Sequence, residues 1–175
     1  MPQTVARKEP KLESIAITSN SPAMQEAAAE PKSLSIGSIN VDAIIKPVGL
    51  TSSGDMDIDD NPGELAWYKL GPKPGEKGSA VIAGHYGWKN NVPSIFNDLS
   101  DLIKGDEITV STEDGKQKKF VVTKTEKYNP DQDATDVFRS SDGKAHLNLI
   151  TCSGSWVTSE QTYTKRLVVF TDYVE

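Results

Sequence analysis

Cys152 is the sole cysteine of the chain, and it closes the run His146-Leu147-Asn148-Leu149-Ile150-Thr151, whose composition reads as a strand. At a strand end facing the loop Ser153-Gly154-Ser155-Trp156, a cysteine is half exposed, and its thiolate can reach a substrate. The same residue also suits a small buried hydrophobe, and position alone does not decide between the two. A cysteine nucleophile needs a base or a cation to raise its thiolate fraction, and donors to hold the oxyanion. His146 lies on the same strand, but at about 3.3 Å per residue it is roughly 20 Å away. His85 is better placed: it follows Ala80-Val81-Ile82-Ala83-Gly84 and opens the polar, aromatic-anchored loop Tyr86-Gly87-Trp88-Lys89-Asn90-Asn91. That setting suits a functional histidine and a plain surface histidine alike. Arg166 opens the last apolar strand, where a guanidinium can donate to a developing oxyanion or a substrate carbonyl, or pair with a surface carboxylate.

Other chemistries find less support. One cysteine allows neither an intramolecular disulfide nor a zinc site with several sulfur ligands, and two histidines make the usual metal clusters hard to assemble. The alternate aspartates Asp55, Asp57, Asp59 and Asp60 resemble the start of a calcium loop. The sixth position, where glycine is required, is Asp60, and the twelfth, where a bidentate glutamate is required, is Ala66. The stretch therefore reads as a solvated loop, and no metal or other cofactor is expected, although calcium near this loop stays open.

The chain has 175 residues, enough for one domain, with 19 Lys plus Arg against 25 Asp plus Glu and a net charge of -6. That balance argues against a nucleic-acid partner. Apolar patches such as Leu167-Val168-Val169-Phe170 are far short of the roughly 18 residues that cross a bilayer, so the chain as given is expected to be soluble.

Residues 1–32 mix prolines with Ser, Ala, Glu and Lys and carry no hydrophobic period, which predicts a flexible tail with a short helix around Met24 to Ala29. No apolar core follows Arg7 and Lys8, so the tail is not a secretory signal. From residue 33 onward, short β-branched runs alternate with Gly, Pro, Asn and Asp, the pattern of a mostly β barrel or sandwich. The expected strands are 34–41, 43–48, 65–68, 79–84, 107–112, 117–127, 145–151 and 165–173. Asp114-Gly115 predicts a tight hairpin turn with positive φ. One helix is expected from Pro93 to Gly105, with Ile95, Phe96, Leu99, Leu102 and Ile103 on its buried stripe, and a short turn over 134–138.

Three sequence stretches together resemble the sortase family of Gram-positive cell-surface cysteine transpeptidases. Leu149-Ile150-Thr151-Cys152, with Arg166 downstream, looks like the family's signature around its nucleophile. Pro74-Gly75-Glu76-Lys77-Gly78-Ser79-Ala80-Val81-Ile82-Ala83-Gly84-His85 is similar to the stretch ending in the family's histidine. Phe96-Asn97-Asp98-Leu99, Leu102, Gly105-Asp106 and Ile108 match the segment between them.

The resemblance covers residues 33–175 and implies a closed eight-stranded β-barrel. It makes Cys152 the nucleophile, His85 the general acid/base, and Arg166 the clamp on oxyanion and substrate. Thr151 would help shape the pocket for a Leu-Pro portion, with Trp156 and Trp88 walling the groove. The implied reaction cleaves a Leu-Pro-any-Thr-Gly sorting signal of a surface protein between Thr and Gly through a thioacyl enzyme. The acyl group then passes to an amine, either a lipid-linked peptidoglycan precursor or a pilin lysine. A monomer is expected, with a subclass nearest to class D, E or F.

The family's membrane-spanning helix is missing from residues 1–32. The expectation is therefore a trimmed form of a protein anchored at the extracellular face of the membrane. Two rivals stand beside this reading. A peptidoglycan L,D-transpeptidase would place Gly just before the cysteine and Arg two residues after it, where this chain has Thr151 and Gly154. A non-catalytic β-barrel adhesion or binding module would leave Cys152 inert.

Overall fold

The computed structural model describes residues 28–174. Most of the expected tail, including most of the helix expected around Met24 to Ala29, lies outside the described residues, as does Glu175.

Alternation of buried and exposed positions drives each strand to lay one face on a common interior. β1 is Pro31–Ile36, β2 Val41–Val48, β3 Leu65–Tyr68 and β4 Gly78–Ala83. A small hairpin follows, β5 Trp88–Lys89 and β6 Val92–Pro93. Then come β7 Glu107–Thr112, β8 Gln117–Tyr128, the single helical turn α1 Thr135–Phe138, β9 Ala145–Val157 and β10 Thr162–Tyr173. The eight long strands close into a barrel in the order β9-β10-β8-β7-β1-β2-β3-β4, while β5 and β6 pair apart from it.

Leu34, Ile36, Ile82, Val110, Phe120, Leu147, Leu149 and Val169 fill the barrel interior. A second, outer cluster of Val81, Tyr128, Val137 and Val168 seats α1 on the outside of the sheet, where Asn148 Nδ2 donates to the Val137 carbonyl at 2.6 Å.

Where the structure departs from expectation, hydrogen bonding explains it. The first strand starts at Pro31, two residues before the expected domain boundary, because Pro31 already pairs with Thr112 on β7. The expected strand 34–41 is broken by a 3₁₀ turn over Gly37–Ile39, with Asn40 at φ 56, so the chain reverses and β2 begins at Val41. The Asp114-Gly115 turn forms with positive φ on Gly115 alone, at 84, and the Asp114 carboxylate accepts from the Thr112 hydroxyl at 2.5 Å.

The helix expected over 93–105 does not exist. Val92–Pro93 is β6, and only Leu99–Asp101 is 3₁₀. The N–H groups of Ser94, Ile95 and Phe96 donate outward to the carbonyls of Gly87, Pro62 and His85. Beyond them, Asn97, Leu99, Asp101 and Leu102 each donate three residues back, a run of tight turns. The apolar stripe was real for Phe96, Leu99 and Leu102, which are buried, but Ile103 is 68% exposed.

His146 lies on the outer face of β9, well down the strand from Cys152. Its Nε2 faces Asp142 at 2.8 Å and its Nδ1 faces Asp172 at 2.9 Å and the Thr171 carbonyl at 3.2 Å. Both ring nitrogens thus meet acceptors, an arrangement only the protonated ring satisfies. Burial opposes the charge, but hydrogen bonds that His146 donates to Asp142 and Thr171, with both carboxylate charges, outweigh it and hold His146 above its ordinary 6.5. Asp142 is held down at about 2, first by the Lys144 N–H and then by His146 and Ser140.

The His146 contribution is complete below pH 6.5 and is lost as pH rises through the folded-state value. The Asp142 contribution is present above 3.8 and lost as pH falls toward 2. The melting-temperature gap between the parent and His146→Gln is therefore expected to be widest between about pH 4 and 6 and to narrow by about pH 9. A gap independent of pH in thermal melts would contradict this ion triad.

Candidate active site

The site is built by strand register. β9 runs antiparallel to β10 with Cys152 directly opposite Arg166, so their Cβ atoms are about 5 Å apart. β9 runs parallel to β4 with Ile150 opposite Ala83. The Gly84 N–H donates to the Ile150 carbonyl at 3.1 Å, which carries this pairing beyond the strand and sets His85 beside Cys152.

Strand parity fixes the face. Leu147, Leu149 and Thr151 point inward with Ile82, Leu167 and Val169, so Cys152 and Arg166 project outward from adjacent strands, while His85, two residues beyond the end of β4, borders the recess that Tyr163 also lines. Cys152 is not at a strand end, as expected, but inside β9. Pairing with β10 continues past a bulge to Trp156 opposite Tyr163 and Val157 opposite Thr162. Likewise, Arg166 lies inside β10, which begins at Thr162 rather than residue 165.

Thr151 does not line a groove. It is 3% exposed, and its hydroxyl donates to the Gly84 carbonyl at 2.7 Å, tying β9 to the residue before His85. Its role is to hold the register. Gly84 is required for a related reason: a Cβ there would sit 2.7 Å from both Leu65 and Phe96. Beyond His85, a side chain at Gly87 would collide with the Tyr163 hydroxyl, and Gly87 takes a φ of 91.

Each functional group has a definite environment. Burial pushes the Cys152 thiol above its ordinary 9.0, while the Arg166 charge pulls the other way. The Arg166 guanidinium donates from Nη1 to the Tyr163 and Lys165 carbonyls at 3.1 and 3.0 Å, and from Nη2 to the Thr162 hydroxyl at 3.0 Å. It forms no ion pair among the described residues, and with five N–H groups it keeps donors free for a substrate oxygen. His85 directs Nε2 at the Asp59 carbonyl, 2.6 Å away.

Two recesses flank the trio. On the Arg166 side is a cavity of about 200 Å³, mostly apolar, lined by Met56, Ile58, Ala83, Val137, Ile150 and Val168, with Arg166 at its border. On the His85 side is a wider one of about 460 Å³, walled by Tyr86, Trp88, Trp156 and Tyr163 with Asp60 and Lys89. Tyr163 packs edge-on against both Tyr86 and Trp156, at 5.2 and 5.1 Å between ring centres. Trp88 and Trp156 thus share the second recess with His85.

The acidic stretch, read from sequence as a solvated loop, supplies Met56 and Ile58 to one recess and Asp60 to the other. The alternation of Met56 and Ile58 among aspartates was the signal that it has an apolar face. Tyr86, Tyr163 and the α1 residue Val137 were also not anticipated, since their roles arise from packing between distant segments. No group of three or more His, Cys, Asp or Glu among the described residues is arranged to hold a metal ion.

A trio of thiol, imidazole and guanidinium bordering an apolar groove suits acyl transfer from an extended peptide. The sortase domain model matches residues 34–174. The chain belongs to the sortase family. Among solved structures it is similar to sortase C-1 from Actinomyces oris at 26% identity, covering 82% of this chain and 73% of that one with a TM-score of 0.65. It is also similar to a lid mutant of sortase A from Corynebacterium diphtheriae, at 24% identity, 88% and 74% coverage and a TM-score of 0.66. Sortase C-1 from Streptococcus pneumoniae follows at 20% identity, 82% and 66% coverage and a TM-score of 0.64. No curated protein matches the chain.

These neighbours include both class A and class C sortases, and membership supports a sortase transpeptidase, a cysteine enzyme on a β-barrel. No helix among the described residues is long and apolar enough to cross a membrane.

Two outcomes follow for this sortase domain. Alkylation of Cys152 by iodoacetamide is expected to rise with pH through a midpoint above 9.0, and Arg166→Gln is expected to move that midpoint higher still. A midpoint near neutrality, read from alkylation rates, would contradict the burial argument. Gly84→Ala is expected to cost about 1 to 3 kcal/mol of stability by overpacking against Leu65 and Phe96, measured by denaturant unfolding.

Proposed function

We propose that this chain cleaves a Leu-Pro-any-Thr-Gly type sorting signal between Thr and Gly and transfers the acyl part to an amine. One observation carries the reading: Cys152 stands opposite Arg166 on adjacent strands beside an apolar recess, and the Gly84 bond to Ile150 carries His85 toward the same end of β9. The groove suits the Leu-Pro side chains. Its Arg166 end suits the peptide carbonyls.

In this scheme Cys152 Sγ, as thiolate, attacks the Thr carbonyl carbon, and the oxyanion takes hydrogen bonds from the free Arg166 N–H groups. As the C–N bond breaks, His85 gives its proton to the departing glycine nitrogen and a thioester remains on Cys152. An incoming amine then attacks the thioester carbon. His85 takes the amine's proton, the C–S bond breaks and the thiolate is restored. Burial disfavours the thiolate in the resting chain, so Arg166 and a protonated His85 both favour the reactive form once substrate covers them.

These steps use side chains of the chain alone and require no cofactor. A thioester reacts readily with amines and resists water comparatively well, which favours transfer over hydrolysis. The acceptor is a lipid-linked peptidoglycan amine or a pilin lysine, and the site of action is the outer face of the cell membrane. Trp88 and Trp156, in the second recess, border the side from which the amine approaches.

Incubation with a Leu-Pro-any-Thr-Gly peptide, followed by intact-mass measurement, is expected to show an acyl adduct that is absent in Cys152→Ala and discharged by an added amine. Neither adduct nor cleavage across a panel of signal variants would overturn the substrate class. Arg166→Lys keeps the charge but loses the planar fork, and kcat/KM is expected to fall by about 2 to 4 kcal/mol of transition-state stabilisation. Activity within about threefold of the parent would remove Arg166 from the mechanism.

A further inference from the structure

The short contact between His85 Nε2 and the Asp59 carbonyl has a forced polarity. A carbonyl oxygen can only accept, so Nε2 must carry a hydrogen whether the ring is neutral or charged. We infer that the Asp59 main-chain carbonyl is a positioning group for His85, and that Nδ1 is the ring atom that exchanges the proton in the reaction. This rests on the proposed transpeptidase role of His85 but concerns a different question: which nitrogen acts and what fixes it.

The surroundings support a built orientation rather than a chance touch. The residues that carry Asp59 and His85 are bracketed by one short segment. The Ile95 N–H donates to the Pro62 carbonyl at 2.8 Å, and the next N–H, of Phe96, donates to the His85 carbonyl at 3.0 Å. The acidic loop and the His85 backbone are thus held to adjacent residues, which sets the distance between the ring and carbonyl 59.

Further bonds stiffen the loop on either side of that carbonyl. Lys89 Nζ donates to the Asp60 carbonyl at 3.0 Å, the Asn61 N–H to the Asp59 carboxylate at 2.9 Å, and the Gly63 N–H to the Asn61 side chain at 2.9 Å. The Asp59 carboxylate is engaged with Asn61 and stands 4.0 Å from Lys46, so the ring meets the main chain and not the acid. A carbonyl does the orienting that a carboxylate does in other nucleophile–histidine pairs, without adding a negative charge beside a thiolate.

Chemically, the Nε2–H bond persists through the cycle. In the first half, the Nδ1 proton passes to the departing glycine nitrogen as the C–N bond breaks. In the second, the Nδ1 lone pair accepts the proton of the incoming amine as the C–S bond breaks. The titratable side chains that line the recess with the ring are Asp60, Tyr86, Lys89 on β5 and Tyr163 on β10.

The test uses imidazole ¹⁵N resonances of the unmodified chain, which has only two histidines, with His146→Gln assigning the remaining ring as His85. For the neutral ring, a single Nε2–H tautomer is expected, and an Nδ1–H form or an averaged mixture overturns the proposal. This readout needs no substrate, so it stands or falls apart from the peptide-cleavage test.

A second arm replaces Asp60 by its α-hydroxy acid analogue, which makes carbonyl 59 an ester oxygen and a weaker acceptor while every side chain is kept. The tautomer preference is then expected to weaken and kcat on a Leu-Pro-any-Thr-Gly peptide to fall about fivefold, with KM within about twofold. An unchanged tautomer, kcat and pH profile in the ester chain would also overturn it.

Discussion

The lateral register of β4, β9 and β10 is the constraint on which the site depends. A slip of one residue in either pairing would turn Cys152, His85 or Arg166 into the barrel and expose an interior aliphatic in its place. Two features guard the β4–β9 pairing where it leaves regular strand geometry: the Gly84 N–H bond to Ile150 and the Thr151 hydroxyl bond to Gly84. Both involve a β9 residue within two positions of Cys152. The barrel interior beneath, with Ile82, Leu149 and Leu167, makes the alternative registers costly, because each would move buried aliphatics into water.

The electrostatics of the trio follow from its place on the outer face. Burial raises the thiol and a single guanidinium opposes it, while Arg166 spends three hydrogen bonds within its own strand, on Thr162, Tyr163 and Lys165. That self-bonding fixes the plane of the guanidinium before any substrate arrives, which is the condition under which an oxyanion donor is most effective. The Asp59 carbonyl plays the same part for the imidazole. The site is thus preorganised largely by main-chain groups, and the apolar recess beside it is lined on the loop side by Met56 and Ile58.

Similarity to class A and class C sortases at about a quarter identity or less is consistent with where the constraints fall. The barrel needs alternating aliphatics of the right size, a requirement many sequences meet. The second recess, where Tyr163 packs edge-on to Tyr86 and Trp156, joins the far ends of β9 and β10 to the loop that follows β4.

The amino-acid sequence by itself determined the mostly β character, the position of nearly every barrel strand, the single cysteine, and the three residues whose types suit acyl transfer. These are legible because strand alternation, turn residues and side-chain chemistry are local. It misled where local signals were met by distant partners. The stripe Ile95, Phe96, Leu99, Leu102 and Ile103 has helical spacing, yet the N–H groups of Ser94, Ile95 and Phe96 are taken by Gly87, Pro62 and His85.

Tertiary structure alone decided that Thr151 faces inward, that the aspartate-rich loop walls both recesses, and that His85 is turned by a main-chain carbonyl. The reason is physical. Whether a side chain faces a groove or a core depends on barrel closure and on hydrogen bonds between residues far apart in the chain, and no local pattern encodes those partners.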